Sequence, residues 1–287
     1  MENIENVQWF PGHMTKTIRQ IEKVLPLVDC VAEIIDARIP VSSRNPKLAG
    51  IVVNKPLIIL LNKSDIADPR ATKEWIAYFK NQGTIALPVN CKNGIGLSAF
   101  LPAINNILEV KIKRLKDKGM VGVPIRIMVA GIPNVGKSSF INRMANSSKA
   151  KVEDRPGVTR GNQWFKISKN VELLDTPGLL WPKFDDPIVG KHLAFTGAVK
   201  DTVIDITALS INLVKFLKNK YPASLTERYK ITLSDELSNE EILKSIAIKR
   251  GMLISGGLPD VERTAIMLLD EFRGSKIGRI SIEWPKQ

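Results

Sequence analysis

Histidine and cysteine are scarce in this chain of 287 residues: there are two of each, His13 and His192, Cys30 and Cys91. Structural zinc sites draw their ligands mainly from these two residue types, and small secreted scaffolds need many paired cysteines, so the composition argues against both classes. Cys30 and Cys91 each stand in or beside an apolar run and are expected to pack as small hydrophobes. Long apolar runs are missing too; stretches such as PLIILL (56–61) are strand-sized, far short of the roughly 20 residues that span a bilayer. The opening MENIENVQW holds two acids and no apolar stretch, unlike a secretory signal, so the expected location is cytoplasmic, with no membrane partner. Acid is also short: 29 Asp and Glu against 42 Lys and Arg give a net charge of +13 and a pI near 9.7. An excess of this size favours a polyanionic partner, because each neutralised phosphate releases counterions; solubility alone is the plainer explanation.

What is present is an alternation. VDCVAEIID (28–36), LIILLN (57–62), TIALPVN (84–90), IRIMVAGI (125–132), QWFKI (163–167) and VELLD (171–175) have the β-branched, apolar character of strands. RATKEWIAYFKNQG, GIGLSAFLPAINNILEVKIKRLKDKG and GKSSFINRMANS between them have helical periodicity. Such alternation implies an α/β fold, a mostly parallel sheet with helices on both faces. After DTPGLLWPKFDDP the pattern becomes helical, so the expected division is 1–185 and a smaller all-helical domain at 186–287.

Three motifs carry chemistry. GIPNVGKS (131–138) follows a strand and opens a helix, the setting of a phosphate-binding loop. Asn134, Val135, Gly136, Lys137, Ser138 and Ser139 are its candidate phosphate binders, with Lys137 reaching the β- and γ-phosphates and the Ser138 hydroxyl ligating Mg²⁺. LLDTPG places Asp175, a second Mg²⁺ candidate, at a strand end, and Gly178 where its amide would meet a γ-phosphate. Thr159 in RPGVTRG is a third Mg²⁺ candidate, on a loop that would close over the ion. NKSD (62–65) follows LIILL and identifies the base as guanine: Asp65 can accept from both N1–H and the exocyclic amine, Lys63 would lie along the ring and Asn62 would brace the loops. NCKNG (90–94) after the next strand fits a lesser base-contacting loop at Asn90 and Cys91, the cysteine standing where a small hydroxyl residue is usual.

The order of these motifs is unusual, with the base reader ahead of the phosphate loop. It is the GTPase set rotated, as if the chain were cut after DTPG and rejoined after the minor base loop, and termini that lie close together tolerate this. The sequence resembles the circularly permuted GTPases of the ribosome biogenesis GTPase A (YlqF/RbgA) group. QWFPGHM near the start, DARIP at 36–40, GIPNVGKS, DRPGVT, LLDTPGLLWPKF, HLAFTGAVKD and KRGMLISGGLPD carry the resemblance, which covers essentially the whole chain. It implies a circularly permuted P-loop GTPase domain followed by a helical RNA- or ribosome-binding domain. The implied activity is a cytoplasmic GTPase that binds rRNA late in assembly of the large ribosomal subunit and leaves after hydrolysis. A monomer is expected, with no DNA partner.

Leu179 stands where many GTPases keep a glutamine that orients the attacking water, so slow intrinsic turnover is expected. The resemblance implies His13 as the catalytic substitute; a packing or RNA-contacting histidine is the other reading. Asn134 resembles the asparagine of potassium-dependent GTPases, where K⁺ near the β- and γ-phosphates balances charge. KIKRLKDKG is either a solvated helix face or an RNA contact, and KRG and RGSKIGR of the second domain are rRNA candidates by resemblance. Asp36 and Arg38 of DARIP are expected to support the switch. The competing functions are a GTP-dependent RNA- or protein-binding switch away from the ribosome, for example on tRNA, and an ATPase or nucleotide kinase, which NKSD opposes.

Overall fold

The computed structural model describes residues 11–120, 122–147, 152–153, 163–178, 186–199, 201 and 204–286, with the side chains of 11–15, 146–147 and 152–153 left aside. Two compact units emerge among them: one within 11–178 joined by the tail 281–286, the other within 186–280.

The first unit is built on one sheet. Its strands are β1 (Cys30–Asp36), β2 (Leu57–Asn62), β3 (Ile85–Pro88), β4 (Ile125–Ala130), β5 (Val152–Glu153), β6 (Gln163–Ser168) and β7 (Val171–Asp175), in spatial order β3-β2-β1-β4-β7-β6-β5. The first five neighbours in that order run parallel, and β6 and β5 close the edge antiparallel. Every residue of β1 is buried and nearly all of β2, as expected of strands covered on both faces. Helices α1 (Pro11–Val24), α2 (Pro46–Val52), α3 (Pro69–Asn81), α4 (Phe100–Ile107), α5 (Glu109–Asp117) and α6 (Lys137–Ser147) complete the unit. Under α3, Trp75 and Phe79 stack on each other and cover Ile35, Ile59, Leu61 and Ala86. Phe100 of α4 meets Phe140 of α6 edge to face.

The long helical run after the third strand is broken. A short 3₁₀ turn (Leu97–Ala99) precedes α4, and α5 starts anew after Leu108. The break falls where the apolar stripe ends: Ile104 and Leu108 are buried, whereas α5, which holds KIKRLKD, buries none of its residues.

The second unit is helical: α7 (Pro187–Phe195), α8 (Ile206–Lys220), α9 (Pro222–Tyr229), α10 (Asn239–Lys249) and α11 (Val261–Arg273). Its helix starts are written locally. Asp186, Asp205 and Asp260 accept a backbone amide as N-caps, and Ser238 with Glu241 forms a reciprocal capping box on α10. Glu271 ties α9 to α11, accepting from Arg228 Nε at 2.8 Å and from the Tyr229 hydroxyl at 2.9 Å. Arg273 forks onto Asp201 with two bonds of 2.7 Å and caps the carbonyls of Ala194 and Phe195 at the end of α7. No helix among the described residues is long and apolar enough to cross a membrane.

Candidate active site

Parallel strands deliver their carboxyl ends to one edge of the sheet, and ligands of such folds bind where the strand order reverses. Here the reversal lies between β1 and β4. The five parallel strands end in DARIP (β1), NKSD (β2), NCKNG (β3), the phosphate loop (β4) and DTPG (β7), so these five motifs emerge on that edge. The register sharpens this: Asp36 lies beside Asn62, and Val129 lies beside Asp175.

Asn62, 4% exposed, joins three loops. Its amide nitrogen donates to the Val135 carbonyl at 2.6 Å, its amide oxygen accepts from the Cys91 backbone N–H at 2.9 Å, and its own carbonyl accepts from Ala37 N–H at 2.8 Å. The bracing expected of Asn62 is thus a direct bond between base loop and phosphate loop. Gly136 is the residue that permits it. Its φ of +107° is left-handed territory, and a Cβ there would collide with the Asn62 amide.

Lys137, first residue of α6, folds its ammonium over the loop, donating to the carbonyls of Gly131 (3.1 Å) and Ile132 (2.9 Å). Gly178 approaches so closely that an added Cβ would sit 2.9 Å from the Lys137 Nζ and 3.0 Å from the Pro133 nitrogen. DTPG and the phosphate loop are therefore in contact at this lysine. Thr176 anchors the turn by donating to the Val129 carbonyl at 2.7 Å. Burial pushes the Lys137 ammonium down to about 8, against the pull of Asp175, and burial raises the Asp175 carboxyl, against the pull of Lys137. For both groups desolvation outweighs their mutual attraction.

On the base side, Lys63 has φ +61° and its ammonium lies 3.0 Å from an Asp36 carboxylate oxygen. Asp65 is exposed, and Ser64 fixes the turn through two bonds to the Val89 carbonyl, from its amide (3.2 Å) and its hydroxyl (3.0 Å). Asn90 shapes the minor loop, its side chain accepting from Lys92 and Asn93 amides at 2.9 and 3.1 Å. Burial pushes the thiols of Cys91 and Cys30 up to about 12, so neither is a nucleophile near neutral pH.

Asn134 (φ +62°), Ser138 and Ser139 are exposed on the loop and the first turn of α6. Ser138 and Asp175 offer a hydroxyl and a carboxylate, hard oxygen donors of the kind Mg²⁺ takes. No group of three or more His, Cys, Asp or Glu among the described residues could hold a metal by itself. Thr159 and Leu179 lie outside the described residues, and His13 is described only as a backbone position in α1. DARIP singles out Asp36 and Arg38 but not their partner: they form a buried carboxylate–guanidinium pair that also holds Lys63 of NKSD. Burial alone would raise the Asp36 carboxyl, but Arg38 and Lys63 outweigh it and hold it well below the usual carboxylate range.

A mostly parallel sheet that brings GIPNVGKS, DTPG and NKSD to one edge has the architecture of a P-loop GTPase, with NKSD ahead of GIPNVGKS in the chain. The family model described as 50S ribosome-binding GTPase matches residues 126–243, a span that begins in β4 and leaves the base reader ahead of it. Ribosome biogenesis GTPase A of Bacillus pumilus is 46% identical over 280 residues, 98% of this chain and 99% of that protein. The protein of the same name from Priestia megaterium is 46% identical over 285 residues (98% of each chain), and that of Thermotoga maritima 32% over 281 residues (98% of this chain, 95% of that one). The solved structure of GDP-bound TM YlqF is similar at a TM-score of 0.66 and 29% identity, covering 94% of this chain and 100% of that one. GNP-bound YlqF from T. maritima gives 0.62 and 29%, over 95% and 99%. The chain belongs to the ribosome biogenesis GTPase A family. It is a GTP hydrolase of ribosome biogenesis, with GTP as substrate, GDP as product and Mg²⁺ as the usual companion ion.

Proposed function

We propose that this GTPase binds the assembling large ribosomal subunit in its GTP form and leaves after hydrolysis, acting as a late maturation checkpoint. The observation that carries the site is the Asn62 bridge between base loop and phosphate loop, since it lets one nucleotide engage both at once. Asn62, Lys63 and Asp65 hold the guanine, with Asn90 and Cys91 beside it. The phosphates lie along Asn134, Val135, Gly136, Lys137, Ser138 and Ser139, and Gly178 meets the γ-phosphate. Ser138, Asp175 and Thr159 are the protein ligands of Mg²⁺, which when bound supplies charge neutralisation at the β- and γ-phosphates. Asn134 is the K⁺ ligand. His13 orients or polarises the attacking water, a task Leu179 cannot perform, and the ribosomal particle is the activator. The helical residues from 186 onward, with an overall charge of +13 on the chain, supply the rRNA-facing part.

Co-sedimentation with purified subunits tests the partner. The expected result is binding to large subunits with a non-hydrolysable GTP analogue and loss of binding with GDP. Equal binding in both nucleotide states, or binding to small subunits, contradicts it.

A further inference from the structure

The tail that follows the helical unit does not end free. Ser281, fully buried, accepts the Asp68 amide at 3.0 Å, gripping the far end of the segment that starts with NKSD. Next, the amides of Ile282 and Glu283 donate to the Arg38 carbonyl at 2.9 and 3.1 Å. The Glu283 carboxylate then accepts the amides of Val41 (2.6 Å) and Ser42 (3.1 Å) and the Ser42 hydroxyl. Trp75 of α3 donates its indole N–H to the Glu283 carbonyl at 3.1 Å, and the Arg70 guanidinium sits over the Trp284 ring. So the tail ties together two segments, 36–42 and 62–68, that leave adjacent strands at the same level.

Inside the tied segments is a chain of charge. Arg38 turns back on Asp36 with its backbone amide (3.0 Å), its Nε (3.0 Å) and its Nη2 (2.7 Å), which fixes both carboxylate oxygens. One of those oxygens also takes the Lys63 ammonium at 3.0 Å. Lysine is a flexible stem with a point charge, and its left-handed backbone here does not fix where the ammonium goes. A buried, pinned carboxylate does fix it.

We propose that Asp36 is the positioning residue for Lys63, holding its stem where a guanine ring packs, and that the C-terminal tail, through Glu283, sets the Asp36 loop. This rests on the assignment of NKSD as the guanine reader. It predicts that the tail, remote in sequence from every nucleotide motif, controls affinity for the nucleoside half of the ligand and leaves the phosphate half alone.

A double-mutant cycle read by calorimetry tests it, with GDP and inorganic pyrophosphate as the two probes. Asp36→Asn should weaken GDP about tenfold, as for one lost charge-assisted contact, and change pyrophosphate by less than about twofold. In a Lys63→Ala background the same substitution should add nothing, because its target is gone. Glu283→Gln, at the margin of the network, should weaken GDP about threefold and also lose its effect in that background, and it carries the cycle if the Asp36 variant does not fold. The proposal is overturned if the loss persists without Lys63, or if pyrophosphate weakens in step with GDP, since both describe general loosening. Asp65→Asn, run alongside, separates the premise from the inference. A shift of preference from GDP to XDP upholds NKSD as base reader, and unchanged GDP binding removes it.

Discussion

Lys137 holds a charge that the surrounding fold disfavours. Burial brings its proton loss down to about 8 from the ordinary 10.5, so between these values the unfolded chain binds more protons than the folded one. Stability of the nucleotide-free protein should therefore rise with pH across that window. A bound diphosphate favours the ammonium, so GDP binding should take up a proton there. Calorimetry at about pH 9 in buffers of different ionisation enthalpy should find an uptake approaching about one proton. Lys137→Met should abolish it, and proton release on binding would contradict Lys137 as the phosphate ligand. Asp36 gives a slope of the same direction at the acid end: its depressed carboxyl contributes stability that is present above the ordinary 3.8 and is lost as pH falls toward its lower folded value. Asp36→Asn should be missing that acid-limb step in an unfolding titration.

Elements here start where local chemistry tells them to. The capping box on α10 satisfies two orphan ends, Glu241 N–H to Ser238 Oγ at 3.2 Å and Ser238 N–H to Glu241 at 2.8 Å. Ser238→Ala should cost about 1 kcal/mol, seen as faster amide exchange confined to the first turn of α10. Exchange unchanged in that turn would mean that packing of Ile242 and Leu243 alone holds the helix start. The same local signals explain what could be read from the sequence. Runs such as LIILLN and VELLD became β2 and β7 with their expected bounds, because both-face burial demands continuous apolar residues. The linking run looked like one helix because its periodicity is unbroken; only burial, which stops at Leu108, divides it. At the site, the phosphate loop, DTPG and NKSD were legible because each is a contiguous string with a fixed task. The Asp36–Lys63 pair was not, since it joins separate strings and depends on the β1–β2 register.

At the scale of the whole molecule, the rotated order has two physical consequences. The segment after DTPG runs directly into the helical unit, and the chain's last residues come back to the sheet that carries the base reader. The return of the tail left no trace in the sequence, because RISIEW forms no strand and is held by scattered hydrogen bonds to Arg38, Val41, Ser42, Asp68 and Trp75. The proposed hydrolysis would draw on still more distant parts of the sequence, with His13 ahead of the sheet and Leu179 at the position where many GTPases keep a water-orienting glutamine. On that proposal the enzyme should turn over slowly alone and faster with the large ribosomal subunit. The direct test is GTP turnover of the purified full chain in KCl, with and without purified large ribosomal subunits, with small subunits and NaCl as controls. Stimulation by large subunits alone, reduced in NaCl and lost in His13→Ala, is the predicted result. Fast turnover by the isolated protein, or no response to either subunit, would contradict the account.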